Sequence, residues 1–257
     1  MAYFPQIAQF PGTRRVRRRT VGSEAMDGSI VKYADSGAGE IEWELSYAGL
    51  TDQEWGAIRE LFEACEGRLE TFTFVDPFAN LLKSSEDLGA AVWLKDAGLG
   101  LAAGIADPLG GSGATRITNQ GAEARAIWQE LPAPASFRYA VSAYARCDAG
   151  ARLTLFAEAG ATKASKEFAI GPEWRRIVHS AQPGGTEEEV QFGVIVPGGA
   201  AVDVFGLQVE AQPGASAYKR SGAGGVYVNA RFAEDVLTVN TDGPGLNSAR
   251  VRIRTAG

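Results

Sequence analysis

Thirty-one aspartates and glutamates give the chain carboxylates in plenty. Paired carboxylates are the equipment of glycoside hydrolysis, where two of them stand about 5 to 10 Å apart across a cleft. No pair stands out by spacing, and Glu187-Glu188-Glu189, behind Gly184-Gly185, reads as an exposed turn. His179 is the single histidine, which removes every mechanism that needs two imidazoles. It lies in the alternating run Trp174-Arg175-Arg176-Ile177-Val178-His179, with no Gly-x-Ser-x-Gly elbow and no His-Glu-x-x-His helix anywhere, so a structural or surface role is expected. Cys65 and Cys147 are too few for a thiolate zinc site or a disulfide framework, and both fall in apolar patterns as buried small hydrophobes of a reducing compartment. Gly110-Gly111-Ser112-Gly113-Ala114-Thr115 lacks the Lys-Ser/Thr of a phosphate loop and reads as a plain loop. The chain is therefore not expected to be an enzyme.

The one dense basic patch is Arg14-Arg15-Val16-Arg17-Arg18-Arg19. Five guanidiniums in six residues repel one another unless acids lie opposite, and Glu40, Glu42 and Glu44 present such a face. Arg14, Arg15, Arg17, Arg18 and Arg19 are read first as a contact for assembly between copies. A contact to DNA and a merely solvated strand are the competing readings. Against DNA stand the net charge of −6 and the pI of about 5.0, which repel phosphate backbones and anionic membranes alike.

The elements that position these residues follow from length and pattern. The 257 residues, 45% hydrophobic and 22% charged, suit one large or two ordinary globular domains. Met1-Ala-Tyr-Phe-Pro lacks the pattern of a signal peptide and no apolar run approaches a membrane span of about 18 residues, so a chain made and folded in the cytoplasm is expected. Only one helix is evident. Thr51 and Glu54 have the spacing of a capping box, Trp55, Ile58, Leu61, Phe62 and Cys65 share a face, and Gly67 supplies the left-handed stop. Alternating strands flank it at 29–33, 40–47 and 69–75, and others close the chain at 225–229, 236–240 and 249–254. Between these groups short strands follow one another at 114–118, 124–131, 137–147, 152–157, 174–180, 188–196 and 202–210, the density of an antiparallel sandwich or jelly roll. The economical organisation is an insertion: residues 1–78 with 222–257 form one β-rich body, and 79–221 a sandwich spliced into it.

Two resemblances add to this reading. The middle stretch resembles a carbohydrate-binding-module-like jelly roll. The likeness rests on Asn80-Leu81-Leu82-Lys83-Ser84-Ser85-Glu86-Asp87-Leu88 leading to Val92-Trp93, on 126–131 and 139–146, and on Gly206-Leu207-Gln208-Val209-Glu210-Ala211-Gln212-Pro213-Gly214-Ala215-Ser216-Ala217-Tyr218. The outer body resembles the tail-tube-related family of phage distal tail and tail-tip proteins, through Trp43-Glu44-Leu45-Ser46-Tyr47-Ala48-Gly49-Leu50-Thr51, the helix, and Gly67 to Pro77. What that implies is a mainly β protein, a tail-tube-like sandwich or barrel with one flanking helix, interrupted by an antiparallel jelly roll. It implies a ring subunit, commonly of a hexamer, at the virion tail tip, contacting tube and tip or hub proteins, with the insertion facing a host-surface saccharide. A glycan-binding or glycan-degrading protein with a jelly-roll accessory is the alternative.

Sugar recognition needs an aromatic platform rimmed by polar groups. In the strand at 137–147, Tyr139, Val141, Ala143 and Ala145 share one face and Ser142, Tyr144 and Arg146 the other. Tyr144 and Arg146, with Trp128 and Gln129, are the candidates, with core packing the competing reading for each aromatic. The jelly-roll resemblance also implies a calcium ion near a sandwich end, for which Asn80, Asp87 and Glu210 are the hard oxygen donors.

Overall fold

The computed structural model describes residues 2–7 and 11–256. The chain divides into two units, Met1–Phe74 with Tyr227–Gly257, and Val75–Val226. In chain order come β1 (Gly12–Glu24), β2 (Ile30–Leu50), α1 (Asp52–Ala64) and β3 (Phe72–Val75). Next are β4 (Leu94–Lys95), β5 (Leu99–Ile105), β6 (Ala114–Asn119), β7 (Arg125–Leu131) and β8 (Tyr139–Arg146). There follow β9 (Ala151–Ala159), β10 (Thr162–Ile170), β11 (Arg175–Ala181), β12 (Val190–Val196) and β13 (Ala201–Glu210). The chain closes with β14 (Val226–Phe232), β15 (Val239–Gly243) and β16 (Leu246–Ala256).

The first unit is one six-stranded sheet in the order β1-β2-β16-β14-β3, with β15 on β16. The final strand pairs with the second one from Asn247 opposite Leu50 to Ala256 opposite Glu40, so both ends of the chain build the same sheet. The strands expected at 29–33 and 40–47 are a single strand of 21 residues. The intervening Ser-Gly-Ala-Gly reads as a break, yet β1 pairs on both sides of it, Arg17 with Glu40 and Arg19 with Asp35, and a register shift between them absorbs the irregularity. The apolar face of β2, with Trp43, Leu45 and Tyr47, is buried along with Ile58 and Leu61 of α1, Phe72, Phe74, Val251 and Ile253. Rings interlock there: Trp43 and Phe74 lie 4.9 Å apart and Phe72 and Phe232 5.0 Å.

At the start of α1 the Thr51 hydroxyl accepts the Glu54 N–H at 3.2 Å, while the Glu54 carboxylate accepts the Thr51 N–H at 2.9 Å. The left-handed stop begins one residue before Gly67, with φ of 48° at Glu66 and 68° at Gly67.

The second unit is an antiparallel sandwich of jelly-roll type, with sheets β10-β9-β12-β7-β4 and β11-β8-β13-β6-β5. Its core holds Tyr139, Val141, Leu153, Leu155, Phe192, Val194, Val204 and Leu207, all essentially excluded from water. The ring of Tyr139 stands edge-on to Phe192 at 4.8 Å, and its hydroxyl donates to the Pro134 carbonyl at 2.6 Å, satisfying the buried polar tip. Sequence pattern did not anticipate β4, β5 and β10. All three are sheet edges, and β5 (Leu-Gly-Leu-Ala-Ala-Gly-Ile) and β10, which buries only Ile170, carry too little apolar alternation to be seen. Where the chain enters and leaves this unit it runs side by side with itself. The Asp76 N–H donates to Gly225 O at 2.9 Å, Ser84 N–H to Gly222 O at 3.1 Å and Ser85 N–H to Ser221 O at 2.9 Å.

Candidate functional site

The outer face of the sheet β11-β8-β13-β6-β5 concentrates the polar and aromatic side chains of the second unit. Alternation along β8 sends Tyr139, Val141, Ala143 and Ala145 into the core and turns Ser142, Tyr144 and Arg146 outward. Asp203 and Phe205 of β13 lie opposite Arg146 and Tyr144, and Gln208 lies opposite Ser142. The step from odd to even numbers comes from a bulge between Phe205 and Gln208, where Gly206 takes φ 61° and the Tyr218 ring packs against its backbone.

Two rows of side chains cross this face. In the first, Arg116 grips both oxygens of Asp203, Nε to Oδ1 at 2.6 Å and Nη2 to Oδ2 at 3.0 Å, and Arg146 Nε donates to the same Oδ2 at 3.0 Å. The Arg146 guanidinium lies over the Trp174 ring, 4.8 Å from its centroid. Burial acts to raise the Asp203 pKa, but the hydrogen bonds and charges of Arg116 and Arg146 outweigh it and hold the carboxyl below its ordinary value. The Asp203 hydrogen bonds in turn raise the Arg116 pKa. In the second row the Arg176 guanidinium lies 5.7 Å from the Tyr144 centroid, Tyr144 lies 6.1 Å from Phe205, and Phe205 lies 5.2 Å from Tyr218. Arg176 Nη2 also donates to the Ser142 hydroxyl at 3.1 Å. The charged row ends at a cavity of about 380 Å³ lined by Arg116, Asp148 and the glycine turns at Gly150, Gly198 and Gly199. Beyond Gln208 the face is closed, because Gln208 Oε1 accepts the Lys219 N–H at 2.6 Å and the chain at 216–219 lies over it.

The four saccharide candidates do not converge. Tyr144 and Arg146 share the outer face just described. Gln129 is on β7 of the opposite sheet and turned inward, 2% exposed, bonded both ways to the Lys83 backbone at 2.6 and 3.0 Å. Trp128 is on the outside of that same opposite sheet, paired with Gly193 and Leu94. Adjacency along β7 necessarily put these two on opposite faces. Sequence reasoning missed Arg116, Arg176, Asp203 and Phe205. Asp203 did leave a signal, as the lone charge in the apolar run Val202-Asp203-Val204-Phe205.

Asn80, Asp87 and Glu210 do not make the expected calcium site. Asn80 Oδ1 already accepts the Leu82 and Val209 N–H groups at 3.2 and 3.1 Å, and Asp87 Oδ1 accepts the Gly89 N–H at 3.1 Å. The Glu210 carboxylate accepts from Gln208, Gln212, the Ser216 N–H and hydroxyl, and Lys219. The cation beside Glu210 is an ammonium: Lys219 Nζ lies 3.0 Å from Glu210 and 2.7 Å from the Phe78 carbonyl. Among the described residues no group of three or more His, Cys, Asp or Glu side chains is placed to hold a metal ion.

In the first unit the arginine run is matched to the chain's own acids. Arg15 pairs with Glu42 at 3.3 Å, Arg17 with Glu40 at 3.4 Å, and Arg19 with Asp35 at 3.6 Å. From the other side Arg252 reaches Glu44 at 3.2 Å and Arg254 reaches Glu40 at 3.7 Å. Glu40, Glu42 and Glu44 thus form a central acidic row between two basic strands. Arg14 points to the opposite face, donating to the Tyr227 hydroxyl at 2.9 Å beside Trp43. Arg18 is exposed at the register shift.

No protein-family model matches the chain, and none of the curated proteins matches it. Among solved structures it is similar to the enzymatically active domain of a bacteriophage CBA120 tailspike protein, at 9% identity and a TM-score of 0.44. That match covers 54% of this chain and 22% of the tailspike chain. It is also similar to a carbohydrate-binding module solved with β-1,4-galactotriose, at 16% identity and a TM-score of 0.42 over 52% of this chain and 99% of that one. A third is the xylan-binding CBM22-1 domain of Paenibacillus barcinonensis Xyn10C, at 14% identity and a TM-score of 0.43 over 53% of this chain and 96% of that one.

Proposed function

We propose that the chain is a structural subunit of a phage tail tip, a distal tail protein whose first unit assembles into a ring and whose second unit binds saccharide on a host surface. The observation that carries the assembly half is the hairpin of β1 and β2. Beyond the pair of Arg17 and Glu40 it continues as two strands alone, with Ile30, Val31 and Tyr33 each more than half exposed. A two-stranded ribbon with water on both faces is marginal by itself, and a neighbouring copy lying on it supplies the missing apolar contact. Since Arg15, Arg17 and Arg19 are matched within the chain, the apolar side chains of the hairpin and the open edge of β1 make the contact, with the arginines keeping that edge soluble until it is covered.

The saccharide half rests on the face that carries Tyr144, Arg146, Arg176 and Asp203. It is a non-catalytic site in this reading. A general acid needs a raised carboxyl pKa, whereas Asp203 and Glu210 are both depressed and both filled by donors.

Electron microscopy and sedimentation of the purified chain test the assembly. Rings are expected, and a variant with residues 19–34 replaced by a short turn stays folded and sediments as a monomer. A wild-type chain that is monomeric at every concentration, yet binds saccharide, overturns the tail-tip reading in favour of a free-standing glycan-binding protein. A glycan array with Tyr144→Ala as control tests the face, and equal binding by the variant removes Tyr144 from it.

A further inference from the structure

The aromatic rings of this face are not free to serve as stacking platforms. Trp174 has the Arg146 guanidinium over it, and Tyr144 stands between the Arg176 guanidinium and Phe205. What the face presents to a ligand is therefore guanidinium N–H, held in place by the rings beneath. Arg146 commits only its Nε to Asp203, and Arg176 commits one nitrogen to Ser142. Among the described residues Arg176 has no carboxylate partner. The acids beside Arg116 and Arg146 are Asp203, which the two share, and Asp148, 3.8 Å from Arg116; at the far end of the aromatic row Glu86 accepts from Tyr218 and pairs with Arg220. Arg116 and Arg146 are thus each paired with a carboxylate, and Arg176 is the guanidinium between them and the aromatic row for which no carboxylate partner is found among the described residues. A planar fork of donors matches a carboxylate with two parallel hydrogen bonds, and a fork already fixed by Ser142 and Tyr144 loses little freedom on binding.

Resting on the saccharide-binding reading above, we infer that the ligand class is acidic: a saccharide carrying a ring carboxylate, a uronate, that docks on Arg176 with its hydroxyls toward Arg146. A neutral sugar offers the Arg176 donors only hydroxyl and ring oxygens, without the charge and paired geometry that make a carboxylate the stronger acceptor. Attraction between the face and such a ligand is weakened by salt, since both charges are near the surface.

The test is an array that presents each acidic oligosaccharide beside its methyl ester, which keeps the skeleton and removes the charge, followed by calorimetry of the wild-type chain and Arg176→Gln on the pairs bound. The acid is expected to bind about tenfold or more tightly than its ester, the worth of one charge-assisted hydrogen bond. In Arg176→Gln that preference disappears, so that acid and ester bind alike, with circular dichroism confirming the fold of the variant. Binding of neutral glycans with no preference for the acid overturns the inference and leaves the saccharide reading standing. Binding of neither class overturns both.

Discussion

Arg116 Nε lies 2.6 Å from an oxygen of Asp203, and that carboxylate is 2% exposed while the arginine is 40% exposed. The pair joins β6 to β13 across the middle of the outer sheet face and, through the second oxygen, fixes Arg146 as well. A buried carboxylate shared by two partly exposed arginines holds both guanidiniums in place on that face.

Asp203→Asn will cost about 1–3 kcal/mol, less than a fully buried pair because both arginines reach solvent. The depressed pKa of Asp203 also sets the pH behaviour. A folded-state value below the unfolded one gives stability that is complete above about pH 4 and is lost as the pH falls through the folded value. Urea unfolding at pH 7 and pH 3 will show a larger acid loss for the wild-type chain than for Asp203→Asn. Equal losses would falsify this role.

His179 offers a second titration, read without interference because it is the single histidine. Burial lowers its pKa, helped by the charge of Lys166 and opposed by a backbone hydrogen bond with Ala164, and Nε2 has no partner. Its stabilising contribution is therefore complete above about pH 6.5 and declines as the pH falls toward the depressed value. Proton NMR of the imidazole will place its midpoint below about 6.5, and a midpoint at or above that contradicts the geometry.

Lys219→Met leaves the Glu210 carboxylate, 0% exposed, without its ammonium. Four other donors remain, so the loss is about 1–3 kcal/mol rather than collapse. Because donors already fill Glu210 and Asn80, a chelator will leave the melting temperature of the wild-type chain unchanged and added calcium will not raise it. A calcium-dependent rise in differential scanning calorimetry speaks against this account.

Gly193→Ala is expected to damage the sandwich by a single added methyl. Its strand lies between Trp128 of β7 and Phe156 of β9, and a Cβ there overlaps the Ile127 carbonyl and lies 2.8 Å from the Trp128 Cα. Backbone on a central strand cannot yield as a flexible side-chain tip can, so the cost is about 2 kcal/mol or more. An unchanged urea midpoint would show that the sheets have room the geometry denies.

What the sequence determined by itself is whatever repeats within a few residues. The capping box of Thr51 and Glu54, the split of β8 into a core face and a face with Tyr144 and Arg146, and the acidic row of β2 all follow from local spacing. The tertiary structure alone decided which strand lies beside which. Arg116, Arg146 and Asp203 are 30 to 87 positions apart along the chain, and only the register of β6, β13 and β8 brings them together. The bulge at Gly206 then shifts which residues of β13 face outward, so a period of two counted through it assigns Gln208 and Glu210 to the wrong side. Trp128 and Gln129 show the converse: neighbours along a strand point to opposite faces, and adjacency in sequence is there a reason for separation in space.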